Sequence, residues 1–141
     1  MIIMLDDEPY FIAAYKDVFE LEGYEVSISQ NEDEFFKMLN SINPTAVIID
    51  IMLHTGYDAG LDVYGRFRRL YPVVPAILLT NREDMKSISI NDPFTKILLK
   101  RDITPIDLVD SIRSMLKKES ATISKSANKA NSAGAKSRAA D

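Results

Sequence analysis

Short apolar runs recur along the chain, and most of them end in a polar residue. Ile2-Ile3-Met4-Leu5 precedes Asp6 and Asp7, and Ala46-Val47-Ile48-Ile49 precedes Asp50. Ala76-Ile77-Leu78-Leu79 precedes Thr80, and Ile97-Leu98-Leu99 precedes Lys100. Runs this short, without alternation and rich in Ile and Val, predict strands buried on both faces of a parallel sheet. A further short strand, second in chain order, is expected over Tyr24 to Ile28. Between the strands the apolar period changes to that of helices. Phe11, Ala14, Tyr15, Val18 and Phe19 form one stripe, opened by Pro9 and stopped by Gly23. Phe35, Met38, Leu39 and Ile42 form a second behind the capping residue Asn31, and Val63, Phe67, Leu70 and Tyr71 a third. Leu108, Val109, Ile112, Met115 and Leu116 form the last, which Thr104-Pro105 starts with Asp107 in its first turn. Residues 82–90, with Met85, Ile88 and Ile90 as their apolar positions, are the weakest helical element.

Five strands alternating with five helices predict an α/β fold: a doubly wound, five-stranded parallel sheet with helices on both faces. The expected strand order is the flavodoxin-like 2-1-3-4-5. Every polar residue that ends a run then lies at the carboxyl edge of the sheet, where such folds bind ligands.

A length of 141 residues suits one domain with a real core. No cysteine is present, which excludes disulfides and thiolate metal sites. The five residues before Asp6 are too few for a signal peptide, and no apolar stretch approaches the roughly 20 residues of a membrane span. A cytoplasmic protein without membrane contact is expected. Charge divides the chain. Residues 117–141 carry +4 and the remainder −8, so the acidic part is a poor nucleic-acid binder. The basic part is rich in Ser, Ala and Lys, and is expected to be a flexible or weakly helical tail or linker over 119–141, behind a domain of residues 1–118.

In the order 2-1-3-4-5 the first and third strands are neighbours, so Asp6, Asp7 and Asp50 converge. Two carboxylates about 4 Å apart repel by roughly 4 kcal/mol at an effective dielectric of 20. Either one takes a proton or a cation sits among them. Oxygen ligands without His or Cys suit magnesium. Lys100 supplies positive charge on the other side, and Thr80 a hydroxyl for a phosphoryl oxygen. Asp50, alone on the central strand, is the expected nucleophile for an acyl phosphate. Asp7 is the expected direct metal ligand and Asp6 one acting through water.

Asp6-Asp7-Glu8-Pro9, Asp50 about forty residues on, Thr80 and Lys100 together resemble the receiver domain of two-component response regulators over residues 1 to about 118. That resemblance implies phosphoryl transfer to Asp50 from a sensor histidine kinase or phosphotransfer protein, with Mg2+ as cofactor and the backbone carbonyl of Met52 completing the metal shell. It implies a downstream effector and leaves a homodimer open. It also makes Met52 and Arg82, two residues past Asp50 and Thr80, positions where the family tunes dephosphorylation.

The chain departs from the family pattern in several places. His54 stands where Pro is usual, and the segment from Asp50 to Gly60 is about two residues longer than usual. Asn81 replaces a small residue, and Arg101 follows Lys100 in place of Pro, which argues against a cis bond. Ile97 stands in the place of the switch aromatic, leaving Phe94 as the nearby ring to consider.

Taken alone, an Asp or Thr that ends a strand is as readily a turn residue. His54, without a second His or Cys, reads as a surface loop residue, and Arg66, Arg68 and Arg69 as a solvated helix face. Two other functions compete. A magnesium-dependent phosphohydrolase of the haloacid dehalogenase type expects Asp-x-Asp-x-Thr after the first strand, and Asp6-Asp7-Glu8-Pro9-Tyr10 does not supply it. A receiver-like interaction scaffold would signal without phosphate.

Overall fold

The apolar runs become strands β1 (Ile2–Leu5), β2 (Val26–Ser29), β3 (Ala46–Asp50), β4 (Ala76–Thr80) and β5 (Thr95–Leu99) in a computed structural model that describes residues 1–87 and 90–140. They form one parallel sheet of order β2-β1-β3-β4-β5, as the alternation predicts. Every residue of β1, β3 and β4 is buried, which is why these strands lack an alternating pattern. Helices α1 (Pro9–Leu21), α2 (Glu32–Ser41), α3 (Ala59–Leu70) and α4 (Pro105–Ala140) cover the faces. Ile2, Met4, Ile48 and Ile77 point to one face, where Ile12, Phe19, Leu108 and Ile112 of α1 and α4 meet them. Ile3, Leu5, Val47, Ile49 and Leu78 point to the other, against Phe35, Leu39, Val63 and Phe67 of α2 and α3.

The helix starts follow the sequence signals. Asn31 Oδ1 accepts the Glu34 N–H at 2.9 Å. Thr104 and Asp107 exchange bonds as a capping box, Asp107 N–H to Thr104 Oγ1 and Thr104 N–H to Asp107 Oδ2. Gly23 takes φ 91 after α1, a left-handed conformation that glycine adopts without strain. The second strand starts later than expected, at Val26, because the Tyr24 ring packs edge-on against Phe19 at 5.8 Å within the turn.

Three expectations change. The weak fourth helix, expected over 82–90, is a 3-10 turn over Glu83–Ser87, anchored to the core by the buried Met85. Ile88 lies outside the described residues, and Ile90 is only half-buried. Arg68 belongs to no solvated face. Its guanidinium donates to the carbonyls of Tyr71, Val74 and Phe94 and to Thr95 Oγ1 at 2.7–3.0 Å, with Nε 2.7 Å from Asp92 Oδ2. Phe94 is buried before the start of β5, about 16 Å of strand from Leu99, the partner of Thr80, so it cannot stand in for the missing aromatic. Helix α4 runs past residue 118 to Ala140.

Candidate functional site

Adjacent strands deliver the acids together. Leu5 pairs with Ile49, so Asp6 and Asp50 follow in register at the carboxyl edge of β1 and β3. Thr80 ends β4 opposite Leu99, and Lys100 opens the 3-10 turn Lys100–Asp102 one residue later. Asp6, Asp50, Thr80 and Lys100 are buried, and Asp7 is nearly so. No described peptide bond is cis, the one after Lys100 included.

The Lys100 ammonium binds two of the acids, Asp50 Oδ2 at 3.0 Å and Asp6 Oδ2 at 3.3 Å. The Phe11 ring caps it from α1, with Nζ 4.7 Å from the ring centroid. The other oxygen of Asp6 accepts the Glu8 N–H at 2.8 Å, which fixes the turn into α1. Glu8 itself is exposed and caps nothing with its side chain. Oxygens of Asp6, Asp7 and Asp50 lie within 4.8 Å of one another. Oxygens on opposite sides of a divalent cation at about 2.1–2.4 Å would stand about 4.2–4.8 Å apart, so this donor set fits a hard cation.

Charge is strained here. Burial pushes the Asp50 carboxyl up to about 6; Lys100 opposes the shift and Asp6 adds to it. Burial also raises Asp6, against the Glu8 N–H and Lys100, with Asp7 adding a smaller push upward. For Lys100 burial pulls downward, but Asp50 and Asp6 outweigh it and hold the ammonium above its usual value. One buried cation does not balance three acids.

The loop between β3 and α3 builds the outer wall. Leu53 and Gly56 exchange backbone bonds at 3.2 and 3.0 Å, turning the chain tightly through His54 and Thr55. That turn aims the backbone N–H of His54 at Asp7 Oδ2, and His54 Nδ1 stands 3.2 Å from the same oxygen. Met52 is half-exposed in this loop, and its N–H bonds the Asp50 carboxylate. Gly60 closes the loop with its N–H on the Ile51 carbonyl at 2.8 Å. A Cβ there would lie 2.0 Å from the Asp50 carbonyl oxygen, so α3 approaches β3 as closely as backbone allows.

Across the site Arg82 ties two loops together. Its guanidinium pairs with Asp58 and Asp84 and lies over the Tyr57 ring at 3.7 Å, while its N–H donates to Thr80 Oγ1 at 3.0 Å. Ile97 packs among the residues facing α2 and α3. The contacts of His54, Phe11 and Gly60 carried no signal in the sequence, because each depends on where a loop or helix start lands.

Fold and site together define a receiver-type signalling module. The response regulator receiver domain matches residues 2–113, and the chain belongs to that family, the receivers of two-component systems. It is 27% identical over 84 residues to the transcriptional regulatory protein TrcR of Mycobacterium tuberculosis, covering 60% of this chain and 32% of that protein. The chain spans a third or less of the length of the curated relatives it matches. A CheY-like receiver domain protein from Methanospirillum hungatei JF-1 superposes with a TM-score of 0.74 at 22% identity, covering 86% of this chain and 96% of that one. The response regulator TrrA of Thermotoga maritima, solved in complex with Mg(2+)-BeF, superposes with a TM-score of 0.68 at 26% identity, covering 81% and 96%. Among the described residues no helix is long and apolar enough to cross a membrane.

Proposed function

We propose that this receiver accepts a phosphoryl group on Asp50 from the phosphohistidine of a sensor histidine kinase or phosphotransfer protein, and signals through the loops that flank it. The observation that carries this reading is Lys100, buried and bonded at once to Asp50 and Asp6 beside a third acid. In the transfer the phosphorus–nitrogen bond of the donor breaks, a phosphorus–oxygen bond to Asp50 forms, and the imidazole leaves with its electron pair. Such transfer relies on positioning and charge compensation rather than on a catalytic base. Lys100 already stands at the accepting carboxylate and keeps an ionic partner after transfer. Thr80 has its hydroxyl proton free for a phosphoryl oxygen, because its oxygen is the acceptor in the bond from Arg82.

Asp6, Asp7, Asp50 and the Met52 carbonyl are the groups that would hold Mg2+. When bound, that ion would offset the charge of the acids and of the phosphoryl oxygens. The domain is a signalling partner rather than an enzyme in the usual sense. Residues 1–118 form the phosphoryl-accepting unit and 119–141 the linker, in keeping with a family match that ends at 113 and with Leu116 as the last core-packed residue among those described. The hydrolase alternative lacks the second Asp and the Thr of its motif, since position 8 is an exposed Glu and position 10 a Tyr.

Incubation with a small phosphodonor and Mg2+ tests the reading by intact mass. Wild type is expected to gain one phosphoryl group and Asp50→Asn none. Full incorporation in Asp50→Asn at another residue would sink the assignment. An unchanged spectrum of wild type on adding beryllium fluoride with Mg2+ would favour the phosphate-independent scaffold.

A further inference from the structure

We infer that His54 is a positioning residue for the metal ligand Asp7, holding its carboxylate through Oδ2; this rests on the metal reading proposed above. Two separate groups of His54 meet one oxygen, the backbone N–H and, at 3.2 Å, the ring Nδ1. Asp7 Oδ2 accepts the backbone N–H and has the ring nitrogen within reach, and the turn closed by Leu53 and Gly56 has the shape that brings both groups to it. The ring nitrogen stands outside the set of acid oxygens within mutual reach of one ion, so His54 acts through Asp7 and not on the cation.

The chemistry fits an outer partner of a metal ligand. A neutral imidazole whose Nδ1–H donates to a carboxylate oxygen fixes that carboxylate's rotamer and leaves the other oxygen free to face the cation. Partners of this kind contribute about 10–100-fold in metal affinity. Asp7 needs such help more than its neighbours do. Asp6 is anchored by the Glu8 N–H and Lys100, and Asp50 by Lys100 and the Met52 N–H. His54 is thus the recognisable side-chain anchor of the third acid, supplied by the loop in which the chain departs from the usual receiver pattern.

His54 is the only histidine in the chain, so one imidazole reports without assignment ambiguity. In metal-free wild type at alkaline pH, the ring nitrogen spectrum is expected to show the Nδ1–H tautomer, and Asp7→Ala to return the ring to the Nε2–H form favoured in solution. Mg2+ titration followed by calorimetry is expected to give about tenfold weaker binding in His54→Ala than in wild type, with the metal-free melting temperature unchanged. His54→Asn, whose amide N–H can replace Nδ1–H, is expected to recover most of that loss.

Equal Mg2+ affinity in wild type and His54→Ala would overturn the assignment, and so would a loss that Asn fails to repair. The tautomer measurement needs no metal. An Nε2–H ring in wild type therefore refutes the His54 contact alone, whereas failure of wild type to bind Mg2+ removes the metal reading as well.

Discussion

Asp50 holds its charge at a cost, because burial and the neighbouring Asp6 both favour its neutral form. A carboxyl raised in the folded chain binds its proton more tightly there than in the unfolded chain. The metal-free protein therefore loses stability as pH climbs from the ordinary carboxylate range to about 6, and the penalty stays constant above that. Asp50→Asn removes the charge. In chelator, its melting temperature is expected to match wild type near pH 4 and to exceed it by several degrees above about pH 6.5. A constant difference across that range would show that Asp50 is not the strained acid. Mg2+ is expected to raise the wild-type melting temperature more at pH 7.5 than at pH 5, where protons compete for the same oxygens. The identities of Asp6, Asp7 and Asp50 were legible in the sequence because a strand end is a one-dimensional signal. His54 was not, because nothing in a lone loop histidine announces that a turn two bonds long will deliver it to Asp7.

At the level of elements, Gly60 and Gly65 make a matched pair within α3. A Cβ at Gly60 would meet the Asp50 carbonyl oxygen and, at 2.6 Å, the Ile51 Cα, both backbone atoms that cannot swing aside. A Cβ at Gly65 meets nothing within 4 Å. Gly60→Ala is expected to destabilise by about 3 kcal/mol in urea unfolding and to reduce phosphodonor labelling, since the displaced backbone carries Asp50. Gly65→Ala should stabilise by roughly 0.5–1 kcal/mol, the usual gain on replacing a helical glycine. Equal effects of the two substitutions would refute the close approach of α3 to β3.

Strands and helix caps were readable because burial on both faces and a capping side chain each leave a local pattern. The 3-10 turn at Glu83–Ser87 was not, since the buried Met85 by itself shows no period. Nor was the role of Arg68, whose partners Val74, Phe94 and Thr95 come from the connection after α3 and from the start of β5, which the sequence does not align with α3.

Over the whole molecule, α4 belongs to two regimes. Leu108, Val109, Ile112 and Met115 are buried against the sheet and α1, and Leu116 is the last of the described residues packed there. Residues 121–123 are exposed, and the chain beyond carries the basic charge. Ending the chain after Lys118 is expected to leave the melting temperature within about 2 °C and phosphodonor labelling unchanged. A loss above about 5 °C would make the extension part of the fold.

The bond between Asp6 and Lys100 joins residues 94 apart in the chain, across a sheet whose last strand is β5. During synthesis the acids are therefore complete fifty residues before their ammonium exists, an interval of about 3 to 10 s at 5–20 residues per second. Through that interval the chain lacks the ammonium that bonds Asp50 and Asp6 in the finished sheet. The set of charges at the carboxyl edge is therefore complete only once the residue that follows the final strand has been made.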